Sequence, residues 1–191
     1  AGLIAMNETH KNPFVKRPIA VGPENGFPEF WGSHPDEYIE FIRSARNKMA
    51  EKLVQQGYNP GDAKEQAQTH IKGLFDTQHL SMFLQHFKPE LTWDKRIEEF
   101  KGWYIEQIKK LADVNAREKI IGSIQAVDSA SSAHGHLPPG QGILGDTLFQ
   151  ALKVLRDKGR FDGYIQSEGH EEERFGEGRI LLKAWEAFKA P

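Results

Sequence analysis

The chain has 191 residues, a formal net charge of −2 and no cysteine. A length of this order fits one hydrophobic core and predicts a single domain over residues 1–191. Balanced charge offers no general pull toward nucleic acid or an anionic membrane, and the lack of thiols excludes disulfides, iron–sulfur clusters and thiolate zinc sites.

Any metal must therefore be held by His, Asp, Glu or an amide oxygen. No apolar run approaches the length of a membrane span, and the cysteine-free composition fits a cytoplasmic protein. The opening Ala1–Met6 reads as the end of a helix without an initiator Met, as expected of a segment of something longer. The first short apolar run is Pro18–Val21. A helical pattern follows, with Tyr38, Ile42, Ala45, Met49 and Leu53 recurring every three or four residues. Ser33, Pro35, Asp36 and Glu37 mark its start and Gly57 its end. Asn59-Pro60-Gly61-Asp62 predicts a turn into a short extra helix, a helical insertion at 60–69.

The second apolar run is Ile71–Phe75, followed by the patch Leu80–Phe87 and a helix capped by Thr92, with Ile97, Phe100, Tyr104, Ile108 and Leu111 on its buried face. The third run, Lys119–Val127, contains Gly122 and Ser123, small enough for a crowded interior. A Ser-, Gly- and Pro-rich loop from Asp128 to Gly142 comes next. The following helix carries Leu144, Leu148, Ala151, Leu152 and Leu155 and stops at Gly159. The fourth run is Gly163–Gln166, and a last helix carries Leu181, Trp185 and Phe188.

Four successive β-α units predict an α/β fold with a parallel sheet and helices packed outside it. No glycine-rich phosphate loop follows the first run, which argues against a nucleotide-binding doubly wound fold. Four units make half of a parallel (β/α)8 barrel, which typically needs about 250 residues. A half-barrel leaves strand edges and an inner face uncovered, so a missing N-terminal half-barrel or a second copy of the chain is expected to complete it.

Reactive groups in parallel barrels sit just past the C-terminal ends of the strands. Here Glu24-Asn25 follows the first run, and Asp76-Thr77-Gln78-His79 the second. Gln125, Asp128, His134 and His136 follow the third, and Glu168 with His170 the fourth. Each has a plainer reading. Glu24-Asn25 is also a polar turn, and Asp76 is also a helix cap with His79 near the first turn. Because Asp76 and His79 lie one helical turn apart, both can equally face a single ion. His134 and His136, with one glycine between them, are either solvated loop residues or a chelating pair. Glu168 is either inward-facing or the start of the acidic run Glu171–Glu173. Phe27, Phe30 and Trp31 either pack their loop down or cover a sugar face. His10, His34, His70 and His86 read as structural or surface residues without partners.

The order Glu24-Asn25, Asp76-Thr77-Gln78-His79, then His136-Leu137-Pro138-Pro139-Gly140-Gln141-Gly142 and finally Glu168 resembles the last four strand ends of the xylose-isomerase-like (β/α)8 barrels. That superfamily holds sugar isomerases, sugar epimerases and apurinic-site endonucleases, and the likeness runs from about Val21 to the last helix. The resemblance implies a divalent metal (Mn, Mg, Co or Zn) held by Glu24, Asp76 and Glu168, with His79 and His136 as ligands of a second ion or as substrate contacts. It implies a sugar or sugar-phosphate isomerase or epimerase, in which Glu24 and Glu168 exchange a proton with substrate carbon through a metal-stabilised enediolate. His79 and His136 would orient hydroxyls, and Phe27, Phe30 or Trp31 would exclude water. The sequence departs from the pattern at Gln125, where the family presents a His or Asp ligand, at His134, where the endonucleases have Asp, and at Gln141, where the family's Gly-Glu-Gly has Glu. Two alternatives stand beside this: an apurinic-site endonuclease-like phosphodiesterase, disfavoured by the balanced charge, Gln125 and His134, and a catalytically inactive half-barrel assembly module, favoured by Gln125 and the missing strands.

Overall fold

A computed structural model of the chain describes residues 1–166 together with Leu182 and Glu186. Helix α1 spans Gly2–Lys11. Helix α2, Pro35–Gln55, begins where His34 Nδ1 accepts the Asp36 N–H, with Pro35 preset for a first helical turn and Asp36 and Glu37 complementing the dipole. Its stripe of Tyr38, Ile42, Met49 and Leu53 is buried as the spacing requires, and Gly57 follows it at φ +95. Asn59 caps α3, Pro60–His70, by accepting from the N–H groups of Gly61 and Asp62. This is the helix expected at 60–69, and it packs on α1 and α2.

Strand β1 is Gly73–Asp76, and the short helix α4, Thr77–Ser81, starts directly at its exit, continuing into a 3-10 turn over Met82–Gln85. Helix α5, Trp93–Glu118, buries Phe100, Tyr104, Ile108 and Leu111; Thr92 holds its capping position without a side-chain hydrogen bond. Strand β2 is Ile121–Gln125, α6 is Asp146–Asp157 and β3 is Tyr164–Gln166. The strands lie parallel in the order β1-β2-β3, with Asp76, Gln125 and Gln166 in register at their exit ends. The run around Pro18–Val21 differs from a regular strand. It contributes isolated parallel bridges, Val21 to Ile71 and Glu24 to Leu74, because Pro18 and Pro23 lack the N–H donors a continuous ladder needs. The Pro23 carbonyl still accepts the Leu74 N–H at 3.0 Å.

One face of this sheet carries the core. Phe75 packs against Tyr38 of α2, and Ile121 and Ile124 are buried with the apolar stripes of α5 and α6. The opposite face opens onto a cavity of about 750 Å³ lined by Lys72, Leu74, Gly122, Tyr164 and Gln166, with the Arg17 guanidinium over the Tyr164 ring.

At the strand entrances, buried Arg46 of α2 donates to the carbonyls of Ile71 (2.9 Å), Glu118 (2.7 Å) and Lys119 (2.8 Å). The bidentate pair of Arg43 with Glu118 lies beside it. His70 is also buried, and its Nδ1 sits 2.7 Å from the Ile19 carbonyl, so the expectation that it has no partner is corrected: it ties the end of α3 to the incoming chain. Leu181, Trp185 and Phe188 of the expected last helix lie outside the described residues. No described helix is long and apolar enough to cross a membrane.

Candidate metal centre

The polar residues flagged after the first three runs meet at the exit end of the sheet. Asp76 ends β1 fully buried, and its two carboxylate oxygens have different tasks. Oδ1 accepts the N–H groups of Gln78 (2.6 Å) and His79 (3.2 Å), capping α4. Oδ2 accepts no hydrogen bond among the described residues and faces His79 Nε2 at 3.7 Å and His136 Nε2 at 4.0 Å. The capping reading of Asp76 is realised on Oδ1, while Oδ2 is turned toward the two imidazoles.

His79 is buried, and its Nδ1 lies 2.7 Å from the Asn25 carbonyl. That carbonyl is a pure acceptor, so Nδ1 carries a proton, and Nε2 is the ring nitrogen turned toward Asp76. Glu24 reaches the same ring from the open side, its Oε1 3.5 Å from Nδ1 and its side chain 38% exposed.

Asn25 assembles this corner, a role its polar-turn reading did not contain. Its side-chain oxygen accepts the Asp76 N–H at 2.7 Å, its amide donates to the Asp76 carbonyl at 3.0 Å, and its own carbonyl orients His79. The side chain completes the ladder that the prolines interrupt, which is why a fully buried Asn is tolerated there.

His136 is fully buried, whereas His134 is exposed, and the two rings lie 4.6 Å apart, centroid to centroid. Their loop is fastened by Asp128, another contribution not legible beforehand. Its carboxylate accepts from the N–H groups of Ser129, Gly142, Leu144 and Gly145 at 2.8 to 3.1 Å, while its backbone pairs in both directions with Leu137. With four backbone donors, Asp128 is a loop anchor and not a candidate ligand. The Gly140-Gln141-Gly142 motif serves the same clamp. Gly140 sits at φ +81, and a Cβ on Gly142 would collide with Asp128 and the Ser129 carbonyl. Thr77 links the two strand exits, its hydroxyl donating to the Val127 carbonyl at 2.7 Å and accepting the Val127 N–H at 3.0 Å.

Among the described residues two groups of donors result, each with one ligand atom per residue within 4.8 Å of the others: Glu24, Asp76 and His79, and His79, His134 and His136. His79 belongs to both. Burial, and then the charge of Glu24, pushes the Asp76 carboxyl up to about 7, against the opposing pull of His79 and of the N–H bonds from His79 and Gln78. A buried oxygen without a hydrogen bond, opposite an imidazole nitrogen, suits a divalent cation, which would restore the ionised form of the carboxylate.

Gln125 is buried at the exit of β2, level with Asp76. The Phe27 ring packs edge-on to His79 at 4.9 Å and against His134 at 5.1 Å. Trp31 is placed elsewhere, against Phe41 of α2 at 5.4 Å, and Phe30 is exposed. Glu168 and His170 lie outside the described residues.

Comparison of the chain with protein-family models, with curated proteins and with solved structures gave no match.

Proposed function

We propose that the chain is the C-terminal (βα)4 half of a xylose-isomerase-like barrel and that its strand exits form a divalent-metal site for a sugar or sugar-phosphate isomerase or epimerase. The observation that carries this reading is the buried Asp76 Oδ2, without a hydrogen-bond donor and facing His79 Nε2 at 3.7 Å. Parallel strands in chain order support the half-barrel reading, as does an open sheet face that a completing half-barrel or second copy would cover.

The donor set fits a cation of intermediate softness. Imidazoles beside carboxylates favour Zn, Co or Mn over Mg, which prefers oxygen ligands alone. Asp76 and His79 would hold it, with Glu24, His136 and the neutral amide of Gln125 within the same cluster. Bound there, a divalent ion supplies Lewis acidity that polarises a substrate carbonyl. Glu24, half-open to solvent beside His79, is the carboxylate assigned to proton transfer at the neighbouring carbon. Its expected counterpart is Glu168. Phe27 shields the imidazoles and keeps water away from the reacting carbon.

The group of three imidazoles, His79, His134 and His136, beside a carboxylate-rich group gives a second reading. That division suits a two-ion hydrolytic site, so an apurinic-site endonuclease-like phosphodiesterase is the alternative. Elemental analysis after loading with Mn, Co and Zn tests the site itself: stoichiometric metal lost on Asp76→Ala is expected, and a metal-free chain under every loading condition would refute both readings. Deuterium incorporation from D2O into a ketose or aldose supports the isomerase. Cleavage of abasic-site DNA without such exchange would transfer the assignment to the phosphodiesterase.

A further inference from the structure

The donors at the strand exits are closed off from solvent, so an ion reaches them only when a covering segment moves. Asp76 Oδ2 and His79 Nε2, 3.7 Å apart, are both buried atoms. His136, whose Nε2 lies 4.0 Å from the same oxygen, is fully buried as well. Glu24 does not open a way in. It meets the His79 ring at Nδ1, whereas Asp76 faces the other nitrogen.

Two rings cover His79, Phe27 at 4.9 Å and His134 at 5.4 Å between centroids. The segment that carries Phe27 is tied into the body. Asn25 pairs twice with Asp76, the Phe30 N–H donates to the Phe27 carbonyl at 2.9 Å, and the Gly32 N–H donates to Glu37 of α2 at 3.0 Å. The segment that carries His134 is a loop with a narrow neck. Asp128 and Leu137 exchange backbone hydrogen bonds in both directions, at 3.0 and 2.8 Å, and beyond that neck Ala130, Ser131, Ala133 and His134 are exposed. Compact loops with closed ends can open locally while the elements around them stay folded.

Gln78 holds this loop down. It lies on α4, fully buried, between Asp76 and His79 in the chain. Its Nε2 donates at 3.0 Å to the carbonyl of Ala133, the residue next to His134. Ser129 Oγ donates to the same carbonyl at 3.0 Å. The Gln78 Oε1 is buried and accepts no hydrogen bond among the described residues. Releasing Ala133 would therefore leave the buried amide with neither of its groups bonded, and that cost keeps the loop shut.

We infer that residues 130–135 form a gate over the metal donors and that Gln78 is its latch: a divalent ion enters and leaves when Ala133 is released and His134 moves off His79. Asp76 and His79 stand on β1 and α4, outside the loop. The latch thus governs how fast the ion exchanges and not how tightly it is held, which makes Gln78 a positioning residue. The inference rests on the metal-site reading above and adds how that site is loaded.

The test is stopped-flow capture of Co2+ by the 191-residue chain and its release into excess EDTA, with equilibrium affinity measured on the same samples. Gln78→Met keeps the buried volume and removes the hydrogen bond. It should accelerate capture and release by the same factor, about three- to tenfold, and leave the dissociation constant unchanged. Gly135→Ala works in the opposite sense. A Cβ there meets only Ser129 Oγ at 3.6 Å, so the shut loop accepts it, while the open loop loses conformational freedom. Both rates should fall about two- to fivefold. Because Gly135 lies in a surface loop, this second variant decides the matter even if Gln78→Met does not fold. Rates equal to the parent's would overturn the gate and spare the metal site. Faster release with weaker affinity and unchanged capture would also overturn it, leaving Gln78 as a support of the ligands. A parent chain that takes up no Co2+ would remove the metal reading and the gate with it.

Discussion

Replacing Asp76 with Asn tests whether the donors at the strand exits are held in place for a cation that the protein itself does not neutralise. Asn keeps an oxygen to accept the N–H groups of Gln78 and His79, and it removes the charge. In the metal-free chain the Asp76 carboxyl titrates near 7 in place of its ordinary 3.8, chiefly because of burial. At ~1.4 kcal/mol per pH unit, that rise corresponds to at most about 4 kcal/mol of destabilisation by the ionised form. The folded chain holds the proton up to about pH 7, whereas the unfolded chain releases it near pH 4. The contribution of Asp76 to stability is therefore greatest below pH 4, declines between 4 and 7, and stays at its lower level above 7. Urea unfolding in EDTA should show Asp76→Asn to be about 2 to 4 kcal/mol more stable than the parent at pH 8, with little difference near pH 4. Saturating metal should reverse the order, because binding stabilises only the parent. A variant less stable than the parent at pH 8 in EDTA would mean that a protein group already pairs Asp76 Oδ2, and the metal argument would lose its foundation.

Asn25→Ala removes partners from the buried N–H and carbonyl of Asp76. It should destabilise the fold by about 2 to 4 kcal/mol and weaken metal binding by about 10- to 100-fold, measured by urea unfolding and competitive chelation. Metal affinity equal to the parent's would reduce Asn25 to a purely structural residue. Asp128→Ala frees the N–H groups of Ser129, Gly142, Leu144 and Gly145 and should loosen the loop that carries His134 and His136. Hydrogen exchange should accelerate across residues 129–145 while β1 stays protected; unchanged protection there would contradict the clamp.

Much of the fold was legible in local pattern. The runs at Ile71–Phe75, Lys119–Val127 and Gly163–Gln166 became strands because short apolar segments between helical periods have few other uses. Donors were found because the exits of parallel strands collect whatever polar residues follow, and Glu24, Asp76, His79, His134 and His136 do converge. What escaped depends on partners distant in sequence. Asn25 is 51 residues from the backbone it completes, and Asp128 reaches 17 residues ahead to Gly145. Arg46 sits beside Ala45 in an apolar stripe that gives no hint of the carbonyls awaiting it. The direction of Trp31 was equally hidden, since a loop aromatic has no periodicity to fix its face.

Arg46 has a consequence for how such a chain can vary. Its guanidinium grips the carbonyl oxygens of Ile71, Glu118 and Lys119, and every amino acid offers that same oxygen. The entrance end of the sheet is therefore fastened by side chains with anonymous partners, Arg46 and also Asn115, which accepts the Ile121 N–H and donates to the Gly159 carbonyl. Drift at Lys119 or at neighbouring exposed positions leaves that lock intact, whereas the exit end depends on named carboxylates and imidazoles. The molecule can thus accumulate change at its base without disturbing the geometry at its mouth.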